Sequence, residues 1–116
     1  MVKVFRIGRV TTLEKQEQYP ESFELHQNYP NPFNPTTTIK YTIANPPLSN
    51  ERAGEGLITL PVYDILGKKI QTLVNESKPP GNYKIEFNAA GLPSGVYFYR
   101  LETEYFNAVK KMLLLR

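Results

Sequence analysis

The sequence predicts an all-β fold, a small antiparallel β-sandwich of about six strands, and three observations predict it. Apolar and polar residues alternate in short runs, the period of a strand with one buried face. Glycine, proline, asparagine and aspartate interrupt those runs at short intervals, as turns do between strands. No stretch sustains the 3.6-residue apolar period of an amphipathic helix. The composition agrees: 8 tyrosines and 6 phenylalanines with no tryptophan suit strands, and 10 prolines in 116 residues oppose helices.

Taken in order, Val2 to Val10 alternates loosely enough for a stray strand, such as the last one of a preceding domain. Thr11 to Ser22 is polar and without period. Residues 1–22 are therefore expected to be a linker or the tail of another domain, and the compact domain to occupy residues 23–116. Leu25 to Pro35 reads LHQNYPNPFNP. Its prolines forbid a helix and hold the residues before them extended. It is expected to be an ordered, irregular lead-in, with Tyr29 and Phe33 free to plug the core.

Thr37 to Ile43 is the first clear strand, with Thr37, Ile39, Tyr41 and Ile43 on one face. Ala44 to Gly56 reads as a polar hairpin connection and the place where mobility should concentrate. Leu57 to Tyr63 is the second strand, with Ile58, Leu60 and Val62 inward. Pro61 removes a ladder donor, so this strand is expected to be an edge or locally broken. Asp64-Ile65-Leu66-Gly67 suits a type I turn, with aspartate first and glycine fourth. In the third strand, Lys68 to Val74, the alternation slips between Ile70 and Leu73, the mark of a bulge. A turn at Ser77 to Asn82 leads to the fourth strand, Tyr83 to Phe87. Ala89 to Gly95 leads to the fifth, Val96 to Glu102, with Tyr97, Tyr99 and Leu101 inward. The sixth, Ala108 to Leu115, ends the chain.

Chemistry is sparse along this sequence. Net charge is +3, from 14 basic and 11 acidic residues. The basic residues are scattered rather than gathered on one face, which argues against nucleic acid as a partner. Without cysteine there is no disulfide, thiolate nucleophile or cysteine metal site. His26 is the single histidine and lacks a companion for a metal site. Ser22, Ser49, Ser77 and Ser94 all fall in expected loops, and none lies in a nucleophile elbow. Asp64 is accounted for by its turn, and Glu86 and Glu102 by outward strand faces. No enzyme, cofactor, metal or small-molecule substrate is expected. Tyr97, Phe98 and Tyr99 could stack sugars or bases, but alternating aromatics in a strand are more often core. The terminal strand, VKKMLLLR, must be paired or covered, since a bare apolar edge aggregates. Either it completes the core, or a partner reads it by strand addition or as a folded edge.

Together NYPNPFNPTTTIKYTI, VYDILGKKIQTLV, GNYKIEFNAAGLPSGVYFYRL and VKKMLLLR resemble the type A C-terminal sorting domain of the type IX secretion system of the Bacteroidetes group. The resemblance runs from Phe23 to Arg116. It implies an immunoglobulin-like sandwich of six to seven strands, similar to a domain of flagellar hook-capping proteins. It implies a non-catalytic, monomeric domain fused to a secreted or cell-surface passenger, which reaches the periplasm by its own signal. The partners implied are an outer-membrane translocon and a surface sortase-like peptidase. Asn28, Tyr29, Pro30, Asn31, Pro32, Phe33, Asn34 and Pro35 match the family's opening motif, and Asp64 and Gly67 its structural turn. Gly95, Tyr97, Lys110, Lys111, Leu113 and Leu115 match the segments tied to recognition by the export machinery. Pro61 departs from the family pattern. An adhesion or carbohydrate-binding module is the alternative reading.

Overall fold

A computed structural model describes residues 20–45 and 56–116. The expectations for Val2 to Val10, and for mobility across most of the segment after Asn45, lie outside the described residues. The described residues form seven strands: β1 (Glu24–Leu25), β2 (Thr36–Ile43), β3 (Gly56–Tyr63), β4 (Lys69–Lys78), β5 (Gly81–Asn88), β6 (Gly95–Glu102) and β7 (Asn107–Leu114). They make two antiparallel sheets, ordered β1-β2-β5 and β4-β3-β6-β7. This is the three-plus-four layering of an immunoglobulin-like sandwich. The six expected strands are all present, and the very short β1 is the addition.

Apart from β4, whose alternation slips, the long strands send mainly one parity inward. Ile39, Tyr41 and Ile43 of β2 meet Ile58, Leu60 and Val62 of β3, Tyr97, Tyr99 and Leu101 of β6, and Met112 and Leu114 of β7, all buried. The segment from Ala44 to Gly56 is not a hairpin connection: it carries the chain from one sheet to the other, because β2 pairs with β5 and β3 with β4 and β6. The turn expected at Ser77 to Asn82 is narrower, since β4 runs to Lys78 and β5 begins at Gly81.

Pro61 is not at an edge, because β3 lies between β4 and β6. The expected local break is found instead. Thr59 faces Asn75 of β4 but Pro61 faces Thr72, and Val62 faces Gln71 but Tyr63 faces Lys69, so β4 spends an extra residue at each shift. A proline has no N–H to offer the ladder, and a bulged neighbour tolerates that gap. The slipped alternation of β4 and the proline of β3 are two sides of one irregularity. On the other flank the β6 register is continuous, Thr59 facing Glu102 and Val62 facing Tyr99.

Two tyrosines pin two of the three places where the chain changes sheet. The Tyr97 hydroxyl donates to the Pro93 carbonyl at 2.7 Å, and the Tyr83 hydroxyl to the Pro79 carbonyl at 2.6 Å. Each reaches back four residues across a crossing, the geometry of the tyrosine corner in such sandwiches. Tyr83 also stacks on Tyr41, with ring centroids 5.5 Å apart.

The lead-in closes the seam between the sheets. Phe33 is 2% exposed and packs at 6.0 Å against Phe87. Tyr29 does not plug the core: it is 80% exposed, because its neighbour Asn28 takes the inward position. Buried Asn28 donates from Nδ2 to Thr37 Oγ1 at 2.9 Å and to the Pro30 carbonyl at 3.1 Å. Thr37 Oγ1 donates to the same carbonyl at 2.8 Å. The buried polar atoms are thus paired, as a core requires. The peptide bonds before Pro30, Pro32 and Pro35 are cis.

Burial pushes the Tyr41 phenol from its ordinary 10.0 up to about 12, with Tyr83 and Glu76 adding to the rise. Burial also pushes Tyr99 up to about 12, against the lowering effect of a hydrogen bond with the Asn28 backbone. Its hydroxyl donates to the His26 carbonyl at 2.6 Å. Both acids hold their protons more tightly folded than unfolded. Their contribution to stability is whole below the unfolded value and is lost as pH rises through the folded one.

Phe33→Ala should destabilise the domain by about 3–5 kcal/mol in urea unfolding, whereas Tyr29→Ala should stay within about 0.5 kcal/mol; equal effects would contradict the inward placement of Phe33. The urea midpoint should fall steeply between pH 10 and pH 12, the ordinary and folded positions of the two phenols, and less steeply in Tyr99→Phe. An unchanged slope in that variant would show that Tyr99 does not carry its share.

Candidate functional site

The terminal strand and the opening motif form one structure. β7 pairs with β6 from Gly95↔Leu114 to Glu102↔Asn107, which leaves its other edge facing away from the sheet. The opening motif covers that edge. The Phe33 N–H donates to the Leu113 carbonyl and the Leu115 N–H to the Phe33 carbonyl, each at 3.0 Å. This is a parallel bridge centred on Leu114. Asn31 Oδ1 accepts from the Leu113 N–H at 3.0 Å, and Gln27 Nε2 donates to the Lys111 carbonyl at 2.7 Å. Phe23 stacks on Phe106 of the β6–β7 turn at 5.4 Å. The last residue is held too: the Arg116 N–H donates to Ser94 Oγ at 2.9 Å and its guanidinium to the Ala89 carbonyl at 3.2 Å.

These contacts separate the opening motif by role. Asn28 and Phe33 are inward and buried. Asn31 presents its side chain to the β7 edge, and the Pro30 and Pro35 carbonyls accept from Thr37 and Ala89. Tyr29, Pro32 and Asn34 are exposed.

The residues matching the recognition segments split across two faces. Gly95 and Tyr97 lie on the inward parity of β6, and Tyr97 is buried with its hydroxyl engaged. Lys110 shares the inward parity of β7 and is half-buried. Lys111, Leu113 and Leu115 share the outward parity, with Lys111 and Leu115 exposed and Leu113 half-buried. The structure therefore brings three of the six together on one surface. Beside them, β6 turns Val96, Phe98 and Arg100 outward through the pairs Val96↔Leu113, Phe98↔Lys111 and Arg100↔Val109. Sequence reasoning passed over Val96 and Val109 as site residues and weighed Phe98 only as part of a stacking platform with Tyr97 and Tyr99, although their parity opposite Tyr97 and Met112 marks all three as outward.

Asp64 and Gly67 build the expected turn. The Gly67 N–H donates to the Asp64 carbonyl at 3.0 Å, and the Asp64 N–H to the Lys68 carbonyl at 2.9 Å. Asp64 Oδ1 accepts from the N–H groups of Leu66 and Lys68, both at 2.9 Å. Gly67 has φ of 86°, the left-handed residue that lets a type I turn close a three-residue hairpin loop. Further along the sheet, where Thr59 faces Glu102, the Glu102 carboxylate accepts from Thr59 at 2.8 Å and pairs with Arg100 at 2.9 Å. The Thr59 hydrogen bond and the Arg100 partnership hold its carboxyl below the ordinary range.

Among the described residues no three His, Cys, Asp or Glu side chains gather as metal donors would. His26 pairs with Glu24 at 3.1 Å on the surface. Most of the aromatics that could have stacked a ligand are spent elsewhere. Tyr97, Tyr99 and Phe87 are buried, Tyr83 is half-buried against Tyr41, and Phe98 alone of the expected platform turns outward.

A family model described as "Secretion system C-terminal sorting domain" matches residues 27–115. The chain belongs to this family. The match takes in both the opening motif and β7, the two halves of the interlocked seam. A search of curated proteins finds no match. Membership makes the chain a C-terminal sorting signal for type IX secretion, which implies dealings with that machinery and a secreted or cell-surface passenger.

The turn yields a direct test. A Cβ at Gly67 would meet nothing within 4 Å, so any cost of substitution is backbone cost. Gly67→Ala should lose about 1–2 kcal/mol, the penalty for a side chain in the left-handed region, and Gly67→Asn should lose clearly less. Equal losses on thermal unfolding would mean that side-chain crowding sets the requirement.

Proposed function

We propose that this domain is a non-catalytic export address occupying residues 23–116, with residues 1–22 linking it to its passenger. It directs a passenger that has reached the periplasm through an outer-membrane translocon. A surface sortase-like peptidase then removes the domain, which needs no cofactor. Gly95, Tyr97, Lys110, Lys111, Leu113 and Leu115 serve recognition, Gly95 and Tyr97 by shaping the hairpin and the outward members by contact.

The observation that carries this reading is the family match over residues 27–115. The coupled seam supports it: the opening motif and terminal strand, far apart in sequence, form one surface only in the folded domain. An export machine that reads this surface thereby reads a folded tail. The adhesion or sugar-binding alternative has less support, because coplanar exposed rings cannot be assembled from buried Tyr97, Tyr99 and Phe87.

Fusing residues 1–116 behind a periplasmic reporter, in a bacterium with a type IX system, should bring the reporter to the cell surface. The same fusion in a strain lacking the translocon should stay periplasmic. Surface display in both strains, or in neither, would reject the proposal. Deleting VKKMLLLR is a poor version of this test, since it removes fully buried Met112 and Leu114 and would unfold the domain.

A further inference from the structure

The outward face of β6 and β7 is an unusual surface for a small sandwich. Val109 is 51% exposed and Leu115 49%, and Ile65 at the tip of the adjoining turn is 66% exposed. Between that turn and the strands lies a surface cleft of about 230 Å³, lined by Tyr63, Asp64, Ile65, Gly67, Phe98, Arg100 and Val109. Its lining is largely apolar, and its rings are half-buried at the floor rather than protruding.

Among the described residues the charge on this face is net positive. Lys111 and Lys69 are exposed on it, whereas Arg100, opposite Val109, is paired with Glu102 and lies over the Tyr63 ring. Lys69 lies close enough to help hold the Glu102 carboxyl down. Of the carboxylates described nearby, Glu102 is balanced by Arg100 and bonded by Thr59, and Asp64 accepts from two backbone N–H groups while keeping its charge. The face therefore offers apolar area with cations in excess at its rim.

We propose that this face docks a protein surface of the opposite pattern, an apolar contact rimmed by carboxylates, and that the cleft takes one apolar side chain of that partner. The inference rests on the sorting reading, so the partner is a component of the export machinery. Three alternatives fit less well. Strand addition along β7 meets an edge already taken by Gln27, Asn31 and Phe33 from Lys111 to Leu115. A second copy docking by the same face would bring two net-positive surfaces together. An anionic lipid surface would engage Ile65 and Leu66, 66% and 88% exposed at the turn tip, but would leave the cleft lined by Tyr63 and Phe98 unfilled.

The test uses the full chain fused to the reporter, in the type IX host. Val109→Glu places a carboxylate opposite Arg100, and Lys111→Glu changes an exposed residue, so both should fold. Lys84→Glu, on the other sheet, removes a like-charge pairing with Lys40 and serves as control. Folding of each purified chain is checked by its urea midpoint, with Val109→Ser replacing Val109→Glu if the latter unfolds. Each of the two face variants should lower surface display about tenfold, as truncating or reversing a docked charge does, while Lys84→Glu stays within about twofold. Folded face variants displayed as well as wild type would overturn the docking face and leave the sorting reading intact. A wild-type fusion that is not displayed would bring down the sorting reading, and this inference with it. A purified wild-type dimer dissolved by Val109→Glu, or Lys111-dependent binding to vesicles containing an anionic phospholipid, would overturn the proposed partner in favour of a second copy or a lipid.

Discussion

The structure depends on what becomes of the outer edge of β7. A terminal strand bearing Met112, Leu113, Leu114 and Leu115 cannot end a sheet with its peptide groups bare, because such an edge recruits other chains. Here the cover comes from the other end of the domain. Gln27, Asn31 and Phe33 satisfy the carbonyls of Lys111 and Leu113 and the N–H groups of Leu113 and Leu115. Prolines make a good cover, because a segment with Pro30, Pro32 and Pro35 offers a few peptide groups inward but is a poor template for a further strand. The guard therefore ends the sheet instead of passing its edge on.

That arrangement makes the domain cooperative from end to end. Phe33 is buried against Phe87 while its backbone bridges β7, so core and edge are held by one residue. Asn28 and Thr37 fix the turn of the lead-in through the Pro30 carbonyl, and Tyr99 reaches from β6 to the His26 carbonyl. Losing either end exposes the other. A chain truncated at β7 would release Phe33, and a chain without its lead-in would bare the terminal edge.

Much of this was legible in the sequence for physical reasons. Alternation located six strands because a two-layer sandwich wets one face of nearly every strand, and Asp64 with Gly67 specified a turn through local hydrogen bonds and a left-handed residue. What stayed hidden was non-local. Nothing near Pro61 says that β6 lies on its far side, so a central strand looked like an edge. β1 spans two residues, too few for alternation to register. Tyr29 and Phe33 look equivalent in NYPNPFNP, and only the packing of Asn28 against Thr37 decides which ring turns inward. The outward group of Val96, Phe98 and Val109 was implied by parity, but an apolar residue at an outward position reads as core until the partner strand is known.

The same parity separates two kinds of residue within one motif. Along SGVYFYRL and VKKMLLLR, each buried inward side chain is committed: Tyr97 to its corner, Tyr99 to His26, Met112 and Leu114 to the core, while Lys110 on the same parity is only half-buried. A partner can touch none of the buried ones without unfolding the domain, which leaves them only the shape they maintain. The outward set carries no such duty. Val109 and Leu115 contribute little to the core, and burying apolar side chains on docking returns roughly 25 cal/mol for each Å² removed from water. A strand pair that kept greasy outward residues solely for folding would gain nothing from them, since threonine or serine would hold the same ladder with less risk of association. Cations beside them lower that risk, because two such faces repel each other while still meeting a surface rimmed by carboxylates. The physical chemistry of the hairpin thus commits one side of the sheet to stability and leaves the other open to the contact proposed for it.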